Sequence, residues 1–351
     1  MALFEVTEND RRIYEEELKD FLPDKFIDIH THLWRKEFSE GMTNTLSKRN
    51  VLWPSLVADN NPIEDLQETY RLMFPGKEVS ALCFTTRVPY DKNNEYVAKS
   101  TAAAGWAGLY FSVPSQSAEE VEKGIRDGGF LGVKSYLSRS PSYIPTKEIR
   151  IFDFFPKHQL EMLNRIGGIV MLHLPRDGRL QDPVNLHQIL ELKAEFPNVK
   201  LIVAHVGRAY TKEDVGNAFD LLDTNPDILY DFSANCCEYA ITEVIRHAGV
   251  KKVFFGSDMP ILRMRTHRIQ ENGTYINLVP PGMYGDPSQD PHLREVSAEE
   301  AEKITFFMYE ELLAFKRAAK ALNLSRRDVE DIMYNNARKL LDETRISIYG
   351  K

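Results

Sequence analysis

The segment Asp28-Ile29-His30-Thr31-His32 sets a carboxylate and two imidazoles at alternate positions of an apolar run. Residues two apart in a strand share a face, so Phe26, Asp28, His30 and His32 are expected to point one way and Ile27, Ile29 and Thr31 the other. Two imidazoles about 7 Å apart at a strand end can grip one metal ion. A carboxylate beside them can orient a ligand imidazole, which gives Asp28 a supporting role. Other apolar runs end in residues that could join the site. They are Lys134 and Tyr136 in Gly132-Val133-Lys134-Ser135-Tyr136, His173 after Met171-Leu172, His205 after Val203-Ala204, and Asp258 after Phe254-Phe255-Gly256-Ser257. A lone histidine at a strand end is more often structural than a ligand. Four histidines and an aspartate, all at strand C-termini, read as one site. His158, His187 and His247 fall in or at the ends of helical patterns and read as surface residues, while His267 and His292 lie in a late loop and carry no assignment.

The elements that must position these groups alternate between two periodicities. Strand-like runs span Phe26–His30, Val79–Phe84, Gly108–Val113, Leu131–Tyr136, Ile169–His173, Leu201–His205, Ile228–Phe232 and Lys252–Gly256. Helical patterns lie between them at Glu95–Ala104, Ala118–Asp127, Pro156–Arg165, Pro183–Glu195, Lys212–Leu222 and Glu238–Ala248. Eight βα units predict an α/β fold, a (β/α)8 TIM barrel, with an open doubly wound sheet as the alternative. Residues 1–22 read as an N-terminal helix, 33–76 as an insertion after strand 1 with helix around Glu64–Met73, and 259–297 as an ordered active-site loop or lid. Extra C-terminal helices follow at Ala298–Ala321 and Arg326–Leu341, the second N-capped by Ser325. One domain over 1–351 is the simplest account, its barrel strands lying within 23–258 and its C-terminal helices within 298–341.

The chain has 351 residues, 43% hydrophobic and 27% charged, enough to bury a large core without disulfides or structural metals. Any metal is therefore expected to do chemistry. A net charge of −8 argues against nucleic acid as a partner. No run reaches the roughly 20 apolar residues of a membrane span. Three cysteines, Cys83, Cys236 and Cys237, make a poor disulfide framework, and with no signal peptide in the first twenty residues the expectation is a cytoplasmic protein.

From about Lys25 to about Leu341 the chain resembles the amidohydrolase superfamily, and within it the second amidohydrolase family, which includes aminocarboxymuconate-semialdehyde decarboxylase and lactonases. The resemblance lies in the DIHTH start, the GVK strand, HLP, AHVG, the FFGSDMP strand and the closing IMYNNARKLL helix. It implies His30, His32, His173 and Asp258 as metal ligands, with His205 binding substrate or completing the coordination. Lys134 matches the fourth-strand lysine that is carboxylated to bridge two metals in some branches. A single ion is favoured here, Zn2+ first, with Mn2+ or another divalent ion open. The resemblance also implies a homodimer.

The implied chemistry is hydrolysis of a lactone, ester or amide bond of a small carboxylated molecule by metal-activated water. Asp258 would shuttle the proton, and His205 would stabilise the developing oxyanion. Arg139, Arg176, Arg179, Arg208, Arg263, Arg265 and Arg268 follow strand ends, and guanidinium forks suit an anionic substrate. Most single arginines of this kind pair with surface carboxylates. Arg208, three residues after His205, is weighted highest as a substrate contact, with Tyr136 and Trp34 as an apolar wall. Non-oxidative decarboxylation of an aromatic or unsaturated acid is the alternative reaction, and a degenerate ligand-binding barrel the third reading.

Overall fold

Runs of Val, Ile, Leu and Phe form strands where both faces of a sheet are covered, as in parallel sheets. We number them β1 (Lys25–His32), β2 (Glu78–Phe84), β3 (Ala107–Gly108 and Tyr110–Phe111), β4 (Gly132–Lys134), β5 (Ile169–Leu172), β6 (Lys200–Val203), β7 (Leu229–Asp231) and β8 (Val253–Phe254). These come from a computed structural model that describes residues 2–40, 54–223 and 227–350. Each strand pairs in parallel with the next in chain order. Leu109 joins the two parts of β3, donating its N–H to Cys83 O at 2.9 Å. At the other side of β1, Ile29 N–H donates to Phe255 O at 3.0 Å and Thr31 pairs in parallel with Met259. All eight strands coincide with the runs read from sequence, most of them shorter by a residue or more.

The core has two parts. Ile27, Ile29, Leu82, Leu131, Ile169, Met171, Ile202 and Phe254 form one cluster on one face of the sheet, with Ala337, Leu340 and Leu341 of the last helix packed into it. Phe26, Val133, Val170, Leu172, Leu201, Val203 and Phe255 face the other way, into the larger cluster shared with the helices. This alternation is the pleat acting residue by residue.

It fails once, at the site. The pairing of β1 with β2 shifts register between Asp28 and Thr31, an irregularity of the β-bulge type. Strict alternation put Asp28 on the face of His30 and His32, and the bulge separates them. Asp28 instead accepts hydrogen bonds from Tyr70 Oη at 2.6 Å, from the Ser257 N–H at 2.9 Å and from the Ser257 hydroxyl. Its role is to tie β1 to the chain after β8. Burial pushes its carboxyl up to about 7, against the pull of those bonds.

Five helical expectations are modified, the simplest being that the helix expected at Glu95–Ala104 starts five residues earlier, at Tyr90. The pattern at Lys212–Leu222 is broken into Lys212–Val215 and Ala218–Leu222 by Gly216, whose φ of 49° and ψ of −129° no helix contains. Ala298–Ala321 splits into Ala298–Ala301 and Phe307–Ala321, because the chain between them pairs with the segment after β8, Arg265 opposite Phe306. The last helix starts at Arg326 with Ser325 as its N-cap and runs, through a π turn at Asp331–Asn335, to Tyr349. At the N-terminus the helix is Glu8–Ile13, continued by a π turn at Tyr14–Leu18. The insertion after β1 contains the expected helix, at Ile63–Met73, while residues 41–53 lie outside the described residues.

The segment 259–297 is more ordered than a loop. It holds an antiparallel hairpin, β9 (His267–Glu271) and β10 (Thr274–Val279), with β11 (Leu293–Glu295) parallel to β10. The hairpin turns on Asn272-Gly273, both at positive φ (52° and 73°), the pair that favours a type I′ turn.

Asp10 anchors the N-terminal helix to this segment. It is buried and accepts from Arg265 Nη2 at 2.7 Å, Thr305 Oγ1 at 2.7 Å and the Thr7 N–H at 2.7 Å. Burial alone would raise its carboxyl, but these partners hold it below the usual range. Asp10→Asn is expected to lower stability by about 1–3 kcal/mol, since the half-buried Arg265 cation loses its ion pair and keeps only the Ile304 and Glu5 carbonyls. The wild-type contribution is present above the unfolded carboxyl value and lost as pH falls through the lower folded value. The gap between thermal melts of both proteins should therefore narrow as pH falls from 7 to 3, and a constant gap would exclude this linkage.

Candidate active site and metal centre

One cavity of about 280 Å3 collects the histidines and Asp258 of the expected site, but not Asp28. Trp34, His30, His32, Lys134, Tyr136, His173, His205, Arg208 and Asp258 all line it, at the C-terminal ends of the strands. Arg87, Phe111, Arg139, Tyr210, Arg268 and Tyr275 complete the wall together with smaller side chains.

His30, His205 and Asp258 form the tightest group, with one donor atom from each lying within 4.8 Å of the others. His30 Nε2 and His32 Nε2 lie 3.5 and 2.8 Å from the same oxygen, Asp258 Oδ1. The His173 ring centroid is 5.3 Å from that of His205 and 4.7 Å from that of Tyr136. Sequence reasoning placed His32 and His173 among the ligands and His205 beside them. The geometry puts His205 in the tight group, with His32 touching Asp258 and His173 packed against His205 and Tyr136.

The chain turns sharply to make this convergence. His205, Val206, Gly207 and Arg208 have φ of 59°, 49°, 64° and 64°, a left-handed turn that disfavours a β-branched residue. Asp258 has φ of 57°. Such conformations cost of order 1–3 kcal/mol each and persist where the surroundings enforce them.

Asp231, which the sequence analysis passed over, fixes the imidazoles. It is fully buried at the end of β7. Its Oδ2 lies 3.0 Å from His30 Nδ1, and its Oδ1 accepts the N–H groups of His205 and Ser233 at 2.9 and 3.1 Å. With Nδ1–H donated to Asp231, His30 presents Nε2 to the cavity, and that nitrogen has no hydrogen-bond partner. His205 Nδ1 is similarly engaged by Ser233 O at 2.9 Å, which frees its Nε2. His32 Nδ1 and His173 Nδ1 are also buried and unpartnered. Unpaired imidazole nitrogens beside a carboxylate fit a divalent cation, because an ion would satisfy donors that otherwise carry a desolvation cost. The signal in the sequence was a strand-end carboxylate, Tyr230-Asp231-Phe232, of the same type that exposed Asp258.

Charge follows the geometry. Burial, opposed by the nearby carboxylates, lowers His205 to about 4, and it lowers Lys134 to about 8. Asp231 would be raised by burial, but His30 holds it at about 2. Asp258 is held well below the usual carboxylate range by His32, His205 and His30 despite its burial. The site is thus built of neutral imidazoles and ionised carboxylates, the forms that bind metal.

Gly256 sets the fit of His30. A Cβ there would lie 2.9 Å from His30 Cβ and 3.3 Å from Ser233 Cβ. Gly256→Ala is expected to displace His30, lowering metal affinity at least tenfold and stability by about 1–3 kcal/mol. Competition with a chelating dye measures the first and thermal unfolding the second, and unchanged affinity would rule out this packing role.

The arginines separate into two kinds. Arg176, Arg179 and Arg265 are paired with Asp182, Asp214 and Asp10, and Arg263 is bonded to Asn61. Arg139, Arg208 and Arg268 line the cavity and form no ion pair among the described residues. His267 pairs with Glu310 and His292 stacks on Tyr275, both away from the cavity lining. Cys236 and Cys237 also lie outside it. Among the described residues no helix is long and apolar enough to cross a membrane.

Parallel βα units with a histidine and aspartate cluster at the strand C-termini define the class to which this chain belongs. The sequence model of the amidohydrolase family matches residues 27–342, and the chain is a member of that family. No curated protein matches it in sequence. Among solved structures it is similar to a protein provisionally named a 2-pyrone-4,6-dicarboxylic acid hydrolase from Acinetobacter baumannii, with 14% identity, TM-score 0.54, and 90% of this chain and 99% of that one covered. A counterpart from Pseudomonas putida, under the same provisional name, gives 15%, 0.53, 92% and 98%. A dihydroxybenzoic acid decarboxylase from Polaromonas sp., solved with manganese and 2-nitroresorcinol, gives 15%, 0.51, 93% and 100%. At such identities the likeness is one of fold.

Proposed function

We propose that this protein is a metal-dependent enzyme that hydrolyses a lactone, ester or amide bond of a small carboxylated molecule. The observation that carries the reading is the convergence of His30, His205 and Asp258 within 4.8 Å, with unpartnered imidazole nitrogens around them. The hydrogen bond from Ile29 to Phe255 and the pairing of Thr31 with Met259 support a closed (β/α)8 barrel, whose C-terminal rim is the usual place for such a site.

His30, His32, His173 and Asp258 would hold one divalent ion, with His205 close enough to complete its coordination or meet the substrate. When bound, the ion supplies Lewis-acid chemistry, acidifying a water toward a pKa of about 7 and polarising the electrophilic oxygen. Asp258 takes the proton of the attacking water and returns it to the leaving group. His205, its Nδ1–H donated to Ser233 O, presents the Nε2 lone pair to the cavity, the form that suits completing the ion's coordination rather than donating to an oxyanion. Arg208, anchored to Leu174 O and Arg176 O at 3.1 and 3.2 Å, faces the substrate carboxylate, and Tyr136 and Trp34 wall the carbon frame. Zn2+ suits this imidazole-rich set, and Mn2+, the ion named with the Polaromonas decarboxylase, is the competitor. Lys134, whose Nζ has no hydrogen bond among the described residues and lies 5.5 and 5.9 Å from the Phe84 and Tyr136 ring centroids, serves a single-ion site as a cation facing substrate.

Decarboxylation is the second reading, favoured by the fold shared with the dihydroxybenzoic acid decarboxylase. A metal-loaded screen against lactones and aromatic or unsaturated acids, in H2-18O, separates the two. Ring opening with 18O in the product supports hydrolysis, and CO2 release without 18O supports the lyase. Failure to bind a stoichiometric divalent ion would overturn both.

A further inference from the structure

We propose that the cavity carries a second anion subsite, formed by Arg87 and Arg139, and that its substrate bears a carboxylate at each end of a flat carbon frame. The proposal rests on the reading above only for the first carboxylate, the one facing Arg208.

Five cations line the cavity, Arg87, Lys134, Arg139, Arg208 and Arg268, against two carboxylates, Asp177 and Asp258. In a chain of net charge −8 this concentration of positive charge is local. Two of the guanidiniums already have acceptors. Arg208 is bonded to two carbonyls, and Arg268 to Asn277 Oδ1 and Ala234 O while lying over the Tyr210, Tyr275 and Phe307 rings. Arg87 and Arg139 differ. The Arg87 guanidinium has no hydrogen-bond partner among the described residues, and Arg139 has one weak contact, Nε to Ser138 Oγ at 3.4 Å. Both side chains are half-buried. A half-buried cation without an acceptor carries an uncompensated desolvation cost, which an anion would offset.

Their orientation is also fixed. Arg87 lies 4.7 Å over the Trp34 ring and Arg139 5.4 Å over the Tyr90 ring, which itself stacks on Phe111 at 4.5 Å and 22°. A guanidinium placed over a ring and without an acceptor leaves its N–H groups for a ligand, and a planar carboxylate can receive two of them in a bidentate fork. The two arginines follow β2 and β4, with Phe111 on β3 between those strands, whereas Arg208 follows β6. A molecule spanning the cavity would therefore meet cations at both ends, with Trp34 and Phe111 in the wall between them. At about 280 Å3 the cavity suits a single small ring with substituents.

Isophthalate and benzoate are suitable probes, since they differ by one carboxylate on the same flat ring. Titration calorimetry of the zinc-loaded full chain is expected to give isophthalate at least tenfold tighter than benzoate. In the double variant Arg87→Gln/Arg139→Gln that ratio should fall to near one. A surface control, Arg294→Gln, should keep it, and circular dichroism checks that each variant is folded. Equal affinities in the wild type, or a double variant that keeps the tenfold preference, would overturn the subsite. Metal dependence is read separately with metal-free protein. An arginine-dependent preference for isophthalate that persists without metal supports the subsite even if the metal-enzyme reading fails.

Discussion

Asp258→Asn is expected to leave a folded protein whose turnover is lower by roughly 10²–10⁴-fold. The substitution keeps the shape of the side chain and one oxygen, so packing in this buried position is preserved. Among the described residues it removes the only carboxylate that touches the imidazole group from the cavity side, where His32 Nε2 lies 2.8 Å and His30 Nε2 3.5 Å from Oδ1. An amide can neither accept the proton of the attacking water nor return it. The neighbouring imidazoles hold the carboxyl of Asp258 well below the usual range against the upward push of burial. Asn at this position also removes the negative charge that the imidazoles and Lys134 face, so metal affinity should fall as well. Metal content must therefore be measured beside kcat, at saturating ion. Turnover within a few-fold of wild type at full occupancy would exclude Asp258 as the proton shuttle. Loss that is fully restored by excess metal would make it a ligand only.

The sequence made the strands and the site rim legible for the same reason: in a parallel sheet buried on both faces, apolar runs are continuous, and polar residues at their ends stand out. His30, His173, His205 and Asp258 were all found by that contrast. What it missed had weaker local signals. Asp231 ends its strand between two aromatic residues and was passed over, because nothing local tells a carboxylate facing a histidine from one facing water. Asp28 was assigned to the histidine face because the bulge between Asp28 and Thr31 depends on how β1 meets its neighbours. Arg87 was not singled out at all, because its significance lies in the absence of a partner, which only the folded neighbourhood displays. The hairpin at His267–Val279 was the one avoidable miss, since Asn272-Gly273 between β-branched and aromatic residues is a local turn signal.

Asp231→Asn should separate geometry from charge at the metal centre. In the wild type Oδ1 accepts the His205 and Ser233 N–H groups, a division of labour that leaves Oδ2 for His30 Nδ1 at 3.0 Å. An asparagine would keep its oxygen toward the two backbone donors, because turning the amide over would bring NH2 against N–H groups. Its NH2 then faces His30 Nδ1, which must become the acceptor. The ring proton moves to Nε2, the nitrogen that points into the cavity without a partner. A protonated Nε2 cannot ligate a metal, so His30 is lost from the site while remaining in place. Metal affinity is expected to fall about 10–100-fold, the usual consequence of removing a ligand's orienting partner. Stability should change less than the 3–5 kcal/mol of an unpaired buried charge, since both partners are then neutral and hydrogen-bonded. Nitrogen-15 NMR of the metal-free variant would read the tautomer directly, with the proton expected on Nε2 of His30. A proton still on Nδ1, or unchanged metal affinity, would show that Asp231 holds the backbone of His205 and Ser233 and leaves the chemistry of His30 to other groups.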